Sequence, residues 1–219
     1  MVEKLRKKEL FLNKDQLKVY LVTDNNALNG RDFFEVVEQA LKGGVTMVQL
    51  REKMLKTSDF LKKANKLKQL TQKYNVPMII NDRMDIAFDS NSDGLHVGQK
   101  DIAICDEGQK MRNNYGKILG VTANTVALAQ EAEKMGADYL GVGAVFGTTT
   151  KADAKPLTIQ ELKEIVESVS IPVVAIGGIT VENVHLLKGI GLAGVAVSSG
   201  IMGVDDVLAA TKSFKNLEL

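Results

Sequence analysis

Eight short apolar runs, rich in Val and Ile, recur along the chain and are separated by longer amphipathic segments. The runs mostly lack the alternation of polar and apolar residues found in half-exposed strands, which is typical of strands buried on both faces. The predicted strands are Val19–Val22, Val45–Leu50, Val76–Ile80, Gly94–Val97, Ile118–Val121, Tyr139–Val142, Val173–Ile176 and Val195–Val197. Strands that alternate with helices predict a parallel sheet covered by those helices.

The segments between the runs carry the signals of helices. Apolar residues recur at helical spacing within Phe33–Leu41, Phe60–Leu70 and Leu162–Val166. Thr57 or Ser58 is expected to cap the second of these helices, because a hydroxyl at this position can accept a hydrogen bond from the first turn. Strands and helices therefore alternate along most of the chain.

Two architectures fit this alternation, a (β/α)₈ barrel and an open doubly wound sheet. Eight strands in 219 residues favour the barrel, and no GxGxxG motif follows the first strand, where a dinucleotide-binding sheet would carry it. We expect one single-domain (β/α)₈ TIM barrel over residues 1–219, with residues 1–16 as a lead-in helix or frayed segment. In such barrels the chemistry lies at the carboxyl ends of the strands.

Composition excludes several other classes of protein. Lys and Arg total 28 and Asp and Glu total 27, so no broad charge favours nucleic acid or an anionic membrane. The single cysteine, Cys105, excludes an internal disulfide framework, and no apolar run has the length of a signal-peptide core or a membrane span. We expect a cytoplasmic protein that binds small molecules, with no nucleic-acid or membrane partner. Whether it forms a homo-oligomer is left open.

Acidic residues follow two neighbouring strands. Asp82 and Asp101 come directly after the third and fourth predicted strands, so their carboxylates could converge on one hard cation. Mg²⁺ typically takes one or two carboxylates and completes its shell with water and phosphate oxygens. Alternatively, Asp82 caps a short helix that begins at Arg83 and Asp101 caps a turn. The residues alone leave both interpretations open.

Basic residues follow the second and sixth strands. Arg51, Lys53 and Lys151 come from two loops that face the same end of a barrel, and together they suit a diphosphate better than a neutral substrate. The alternative is solvated surface charge, which is the expectation for most other lysines of this chain, such as Lys62 and Lys63.

Glycine and serine follow the last two strands. Gly178 and the Ser198-Ser199-Gly200 turn occupy the usual phosphate site of barrels, where backbone N–H groups hold a monophosphate. Tight turns without a ligand are the alternative. His96 lies inside the fourth strand, so we expect a packed, hydrogen-bonded histidine there rather than a general base.

Several of these segments resemble those of the thiamine-phosphate synthase family. The matching segments are VQLREK (Val48–Lys53), IIND (Ile79–Asp82), GLHVGQKD (Gly94–Asp101), ILGVT (Ile118–Thr122), DYLGVGAVFGTTTK (Asp138–Lys151), PVVAIGGIT (Pro172–Thr180) and the Gly194–Ser199 run. The resemblance implies a (β/α)₈ barrel and a transferase. This enzyme would join 4-amino-5-hydroxymethyl-2-methylpyrimidine diphosphate to 4-methyl-5-(2-phosphoethyl)thiazole, releasing thiamine phosphate and diphosphate with the help of Mg²⁺.

The resemblance also implies roles for individual residues. It implies that Arg51, Lys53 and Lys151 are catalytic and that one Mg²⁺ per subunit binds Asp82 and Asp101. The implied substrate-binding residues are Gln49, Leu50, Arg51, Glu52, Lys53, Asn81, Thr122, Thr148, Thr149, Thr150, Lys151, Gly178, Ser198 and Ser199. In the implied mechanism diphosphate leaves first, and the thiazole nitrogen captures the resulting methylene cation.

Four positions depart from the family pattern. The family usually has Ser at Thr122 and His at Asn124, and it usually has prolines in the loop where Ala144 and Gly147 stand. Two other functions remain as alternatives. One is a thiazole tautomerase paralogue, which shares the barrel but need not bind a metal diphosphate, and the other is a non-catalytic protein that binds thiamine phosphate.

Overall fold

Eight parallel strands close into a barrel in the computed structural model, which describes residues 12–98, 115–147 and 156–216. The strands pair in chain order, and β8 pairs back with β1. Their bounds are β1 Val19–Val22, β2 Met47–Leu50, β3 Met78–Asn81, β4 Gly94–Val97, β5 Ile118–Thr122, β6 Tyr139–Val142, β7 Val173–Ile176 and β8 Gly194–Val197. The prediction of a (β/α)₈ barrel is confirmed, and each predicted strand overlaps an observed one.

Helices cover the outside of the barrel. Within the described ranges they are α1 Phe33–Gly43, α2 Thr57–Lys73, α3 Met84–Asp89, α4 Val126–Lys134, α5 Ile159–Glu167, α6 Ser199–Met202 and α7 Val207–Lys215, with 3-10 turns at Lys14–Leu17, Asn25–Leu28 and Val184–Leu187. The expected cap of α2 is wrong: the N-cap residue is Lys56, which makes no side-chain capping bond. The Thr57 hydroxyl instead accepts a hydrogen bond of 2.9 Å from Arg83 Nη2.

Alternate residues of each strand belong to two separate apolar clusters. Val48 and Leu50 of β2 join the cluster between the barrel and its helices, whereas Met47 joins the cluster inside the barrel. Because successive side chains of a strand point to opposite faces, the same alternation assigns every strand residue to the inside or the outside. Tyr20 and Tyr139 are the largest side chains of the inner cluster, and both are fully buried.

The segment before β1 closes the amino end of the barrel. Leu12 and Leu17 are buried in the inner cluster, and the turn between them has a capping box formed by Asn13 and Gln16. Residues 1–11 lie outside the described ranges, so the expected lead-in over residues 1–16 is described only from Leu12 onward. In the part of the chain that the structure describes, no helix combines the length and apolar character needed to cross a membrane.

Candidate active site

The carboxyl ends of the strands, here called the C-terminal rim, gather inward-facing polar side chains. Gln49 of β2, Asn81 of β3, Thr122 of β5 and Ser198 after β8 all fall on the inward side of the strand alternation. Leu50 falls on the outer side and is fully buried among the helices, so only its backbone faces the rim.

A chain of hydrogen bonds crosses the barrel interior beneath the rim. Gln49 Nε2 donates to Tyr20 Oη at 2.7 Å, and Tyr20 Oη lies 2.7 Å from Tyr139 Oη. Tyr139 Oη lies 2.9 Å from His96 Nδ1, and His96 Nε2 lies 3.0 Å from Thr122 Oγ1. The expectation that His96 is packed and hydrogen-bonded is confirmed.

Burial keeps the hydroxyl groups of Tyr20 and Tyr139 protonated. Desolvation raises the pKa of Tyr20 and of Tyr139 well above the ordinary phenol value, because an ionised phenolate loses its hydration inside the barrel. Both hydroxyl groups therefore act as hydrogen-bond donors as well as acceptors. We call these five residues, Gln49, Tyr20, Tyr139, His96 and Thr122, the interior chain.

Two glycines leave room for the interior chain. A Cβ atom at Gly120 would lie 2.2 Å from Tyr139 Cζ and 2.5 Å from His96 Nδ1. Both distances are too short for any side chain at this position. A Cβ atom at Gly141 would lie 3.1 Å from His96 Cε1. The contact between Tyr139 and His96 therefore depends on glycine, which has no side chain, at position 120 of β5 and position 141 of β6.

The loop after β2 is fixed by a buried ion pair. The Glu52 carboxylate, 4% exposed, contacts the Lys63 ammonium of α2 and accepts hydrogen bonds of 2.8 and 3.0 Å from Asn25 Nδ2. The expectation that Lys63 is solvated is wrong, since its side chain is 15% exposed and its ammonium lies 3.5 Å from the centre of the Phe33 ring. Glu52 thus anchors the loop through protein contacts.

Arg51 and Lys53 flank this anchor. The Arg51 backbone N–H donates to Thr23 Oγ1 at 3.1 Å, and the Arg51 side chain is half-buried, whereas Lys53 is exposed. These contacts hold the backbone of the loop that carries Arg51 and Lys53. The side chains of both residues lie at the surface of the rim.

Asp82 occupies the point where β3 ends. Its φ angle is +60°, in the left-handed region that non-glycine residues adopt rarely and often at functional sites. Its Oδ2 accepts a hydrogen bond of 2.7 Å from Asn81 Nδ2. The alternative that Asp82 caps the next helix is wrong, because α3 begins at Met84 and its N-cap is Arg83.

An exposed carboxylate in this position fits a hard cation. Mg²⁺ needs only one or two protein carboxylates beside phosphate and water oxygens. Asp101, the second predicted ligand, lies outside the described residues, as do Thr148, Thr149, Thr150 and Lys151. Among the described residues no group of three or more His, Cys, Asp or Glu side chains could hold a metal ion.

The loops after β7 and β8 pack against each other. A Cβ atom at Gly200 would lie 2.4 Å from the Ile179 carbonyl oxygen, so the start of α6 touches the loop that follows Gly178. Gly178 has a φ angle of +65°, and its carbonyl accepts a hydrogen bond of 2.8 Å from Asn183 Nδ2.

Ser198 lies beside this contact with its hydroxyl unpaired. Ser198 Oγ is buried, and within the described part of the chain no group forms a hydrogen bond with it. It stands at the N-cap of α6 without making a capping bond. A buried hydroxyl without a partner costs free energy, which a bound anion would recover by accepting its hydrogen.

Comparison with known proteins identifies the family. A model of the family described as thiamine monophosphate synthase matches residues 19–201. The chain belongs to the thiamine monophosphate synthase family. It is 48% identical over 196 residues to a thiamine-phosphate synthase of Fusobacterium nucleatum, with 90% of this chain and 94% of the relative covered.

Two further relatives agree with this assignment. A thiamine-phosphate synthase of Methanobrevibacter smithii is 52% identical over 193 residues, covering 87% of this chain and 90% of its own. A solved structure, thiamine phosphate pyrophosphorylase from Pyrococcus furiosus, has a TM-score of 0.82 at 37% identity, covering 92% of this chain and 95% of its own. The resemblance found in the sequence motifs is therefore confirmed over most of the thiamine monophosphate synthase fold.

One departure from the usual sequence of thiamine monophosphate synthases has a structural role here. Asn124 stands where these enzymes usually carry His, and its side-chain amide binds both polar groups of the Gly143 backbone. Asn124 Nδ2 donates to the Gly143 carbonyl at 2.6 Å, and the Gly143 N–H donates to Asn124 Oδ1 at 3.1 Å. This pair holds the end of β6, from which the loop toward Lys151 departs.

The sequence patterns did not identify Tyr20 and Tyr139 as site residues. Tyr20 and Tyr139 lie within apolar runs and look like core residues of any thiamine monophosphate synthase strand. The signal that could have found them is their inward position together with Gly120 and Gly141, since two small residues on neighbouring strands make room for large polar ones.

Proposed function

We propose that this chain joins 4-amino-5-hydroxymethyl-2-methylpyrimidine diphosphate to 4-methyl-5-(2-phosphoethyl)thiazole, giving thiamine phosphate and diphosphate. One observation carries the proposal: a chain of this family gathers Gln49, Asn81, Asp82, Thr122 and Ser198 at one rim, with polar groups suited to a pyrimidine, a cation and a phosphate. The pyrimidine and the phosphate are parts of the two substrates, and the cation would bind the diphosphate leaving group.

The pyrimidine is bound by the amide and hydroxyl groups of the rim. Gln49 is held on its nitrogen side by Tyr20, so its amide oxygen is available to accept a hydrogen bond from the amino group of the substrate. Thr122 presents its hydroxyl from the end of β5, and Asn81 presents its amide from the end of β3. Backbone groups from Gln49 to Lys53 lie at the same rim, where β2 ends.

The diphosphate is bound by the cationic side chains of the rim. Asp82 and Asp101 would hold one Mg²⁺ beside it, and the exposed carboxylate of Asp82 at a backbone position with positive φ supports this role. Mg²⁺, when bound, neutralises the charge that grows on the leaving diphosphate. Arg51, Lys53 and Lys151 bind the diphosphate oxygens with donors that strengthen as that charge develops.

The thiazole phosphate is bound by the loops after β7 and β8, together with Thr148, Thr149 and Thr150. The unpaired Ser198 hydroxyl, the Ser199 turn and the close packing at Gly178 support a monophosphate there. Binding both substrates in one rim brings the thiazole nitrogen to the methylene carbon. The protein thereby contributes orientation and charge stabilisation to a dissociative substitution.

The test is a product assay with both substrates, with and without Mg²⁺. We expect thiamine phosphate and diphosphate to form in equal amounts, and only when both substrates and Mg²⁺ are present. Consumption of the thiazole phosphate by isomerisation alone would indicate the tautomerase, and binding of thiamine phosphate without turnover would indicate the non-catalytic protein. Either outcome would overturn the proposal.

A further inference from the structure

With Gln49 Nε2 facing Tyr20, as in the structure, the hydrogen bonds described above fit one arrangement of hydrogens along the interior chain. Gln49 Nε2 can only donate, so Tyr20 Oη accepts from it. Tyr20 is left with one hydrogen, and among the described residues the remaining contact of its oxygen is Tyr139 Oη, at 2.7 Å. Tyr20 therefore donates to Tyr139.

The direction then continues through the histidine. Tyr139 Oη has accepted from Tyr20, so its own hydrogen goes to His96 Nδ1 at 2.9 Å. A nitrogen that accepts carries no hydrogen, which puts the hydrogen of the neutral imidazole on Nε2. His96 Nε2–H donates to Thr122 Oγ1 at 3.0 Å.

The reverse direction leaves a buried hydrogen unsatisfied. If His96 Nδ1–H donated to Tyr139 and Tyr139 donated to Tyr20, the Tyr20 oxygen would accept twice. Its own hydrogen would then find no acceptor among the residues that the structure describes. Tyr20 is 1% exposed, so water cannot replace the missing partner without free-energy cost.

We propose that Tyr20, Tyr139 and His96 are positioning residues, which hold the Gln49 amide with its oxygen toward the substrate and make the Thr122 hydroxyl a hydrogen-bond donor to the pyrimidine. The proposal rests on the proposed function for the identity of that substrate. Thr122 accepts from His96, so its own hydrogen is available to a ligand at the C-terminal rim, where its half-exposed side chain lies. An amino group and a ring nitrogen of the pyrimidine need one acceptor and one donor, which the two ends of the interior chain supply.

The glycines give this proposal independent support. Gly120 and Gly141 leave out the side chains that would otherwise fill the space of the Tyr139–His96 contact. A barrel interior packed only for stability would be filled by branched apolar side chains. Here two strands leave room for a phenol and an imidazole instead.

The first test reads the hydrogen on His96 directly. His96 and His185 are the two histidines of the chain, and His185 is exposed on the outside, so ¹⁵N-histidine NMR gives two separable ring signals. The His185→Gln variant assigns them. We expect His96 to be neutral with the hydrogen on Nε2 in the wild-type protein, without any substrate. A hydrogen on Nδ1, or a doubly protonated ring, would overturn the proposed direction.

The second test removes one oxygen from the interior chain. Tyr139→Phe should release His96 to a mixture of the two neutral forms and raise the KM for pyrimidine diphosphate about 3- to 10-fold, the range of one lost hydrogen bond. The value of kcat should fall as well, because the methylene cation of the dissociative step places positive charge on the pyrimidine and strengthens the hydrogen bond from its amino group to the Gln49 oxygen. Tyr20→Phe should raise the same KM and serves if Tyr139→Phe does not fold.

The matched control is Tyr74→Phe. Tyr74 Oη donates to Glu38 Oε1 at 2.9 Å between outer helices, so its loss removes a similar bond away from the rim. A KM for Tyr139→Phe or Tyr20→Phe equal to that of Tyr74→Phe would overturn the positioning role. If the wild-type protein made no thiamine phosphate, the proposed function would fail. The dissociation constant of the pyrimidine diphosphate, measured by calorimetry, would then test the positioning residues by itself.

Discussion

Removing the charge of Lys63 should destabilise this barrel far more than removing the charge of its neighbour Lys62. Both lysines lie on α2, one residue apart. The Lys63 ammonium contacts the buried Glu52 carboxylate, whereas Lys62 pairs at 3.3 Å with Asp59, where the two side chains are 80% and 53% exposed. Met is the replacement of choice, because its length and helix propensity are close to those of Lys.

The magnitude follows from what each substitution leaves behind. Lys63→Met leaves the Glu52 carboxylate, 4% exposed, without its counter-charge, and breaking a buried pair in this way costs about 3–5 kcal/mol. The two hydrogen bonds from Asn25 remain, so we expect the lower end, about 3 kcal/mol. In a chain of this size that lowers Tm by roughly 6–12 °C. Lys62→Met should cost at most about 0.5 kcal/mol.

The assay is urea unfolding of wild-type protein, both single variants and the double variant Glu52→Gln with Lys63→Met. The double variant removes the orphaned charge, so it should recover part of the stability that Lys63→Met loses. Lys63→Met should also raise the KM for pyrimidine diphosphate, because Glu52 holds the loop that carries Arg51 and Lys53. A free energy of unfolding for Lys63→Met within about 0.5 kcal/mol of that for Lys62→Met would refute the reasoning.

Three other substitutions address the rim itself. Asp82→Asn should abolish most Mg²⁺-dependent turnover while leaving Tm near the wild-type value, since Asp82 is exposed; an unchanged activity profile in a Mg²⁺ titration would remove it from the metal site. Thr122→Ser should be nearly neutral, whereas Thr122→Val should raise the KM for pyrimidine diphosphate; wild-type kinetics for Thr122→Val would exclude a contact between its hydroxyl and the substrate. Gly178→Val should raise the KM for thiazole phosphate about 10-fold or more. Its Cβ would lie 2.2 Å from the Gly147 carbonyl oxygen, so it would push apart the loops that follow β6 and β7, both of which are proposed to bind the phosphate. A wild-type KM for thiazole phosphate would contradict that assignment.

The strands of this barrel were predictable because their signal is local. A run such as Val19–Val22 needs only its own apolar side chains to be recognised, and the observed β1 has the same bounds. The register that closes the barrel then places the residues after each strand at one rim. Gln49, Asn81 and Thr122 could therefore be nominated from sequence.

The interactions that were missed depend on partners far away in the chain. Lys63 looks like any other lysine on a helix until Glu52 and Phe33 are brought next to it by the packing of α1, α2 and the loop after β2. The same holds for the Thr57 hydroxyl, which the sequence assigns to a helix cap and the structure assigns to Arg83. Local propensity cannot rank such competing partners.

The pairing of β1 with β8 also has a consequence for how the protein is made. β1 is synthesised before β8 and pairs on one side with β2, but the partner of its other edge is β8, the last strand of the sheet. Until Gly194–Val197 has been synthesised, that edge is open, and an open strand edge can pair with another chain. Completion of the final strand therefore closes an edge through which nascent chains could otherwise associate.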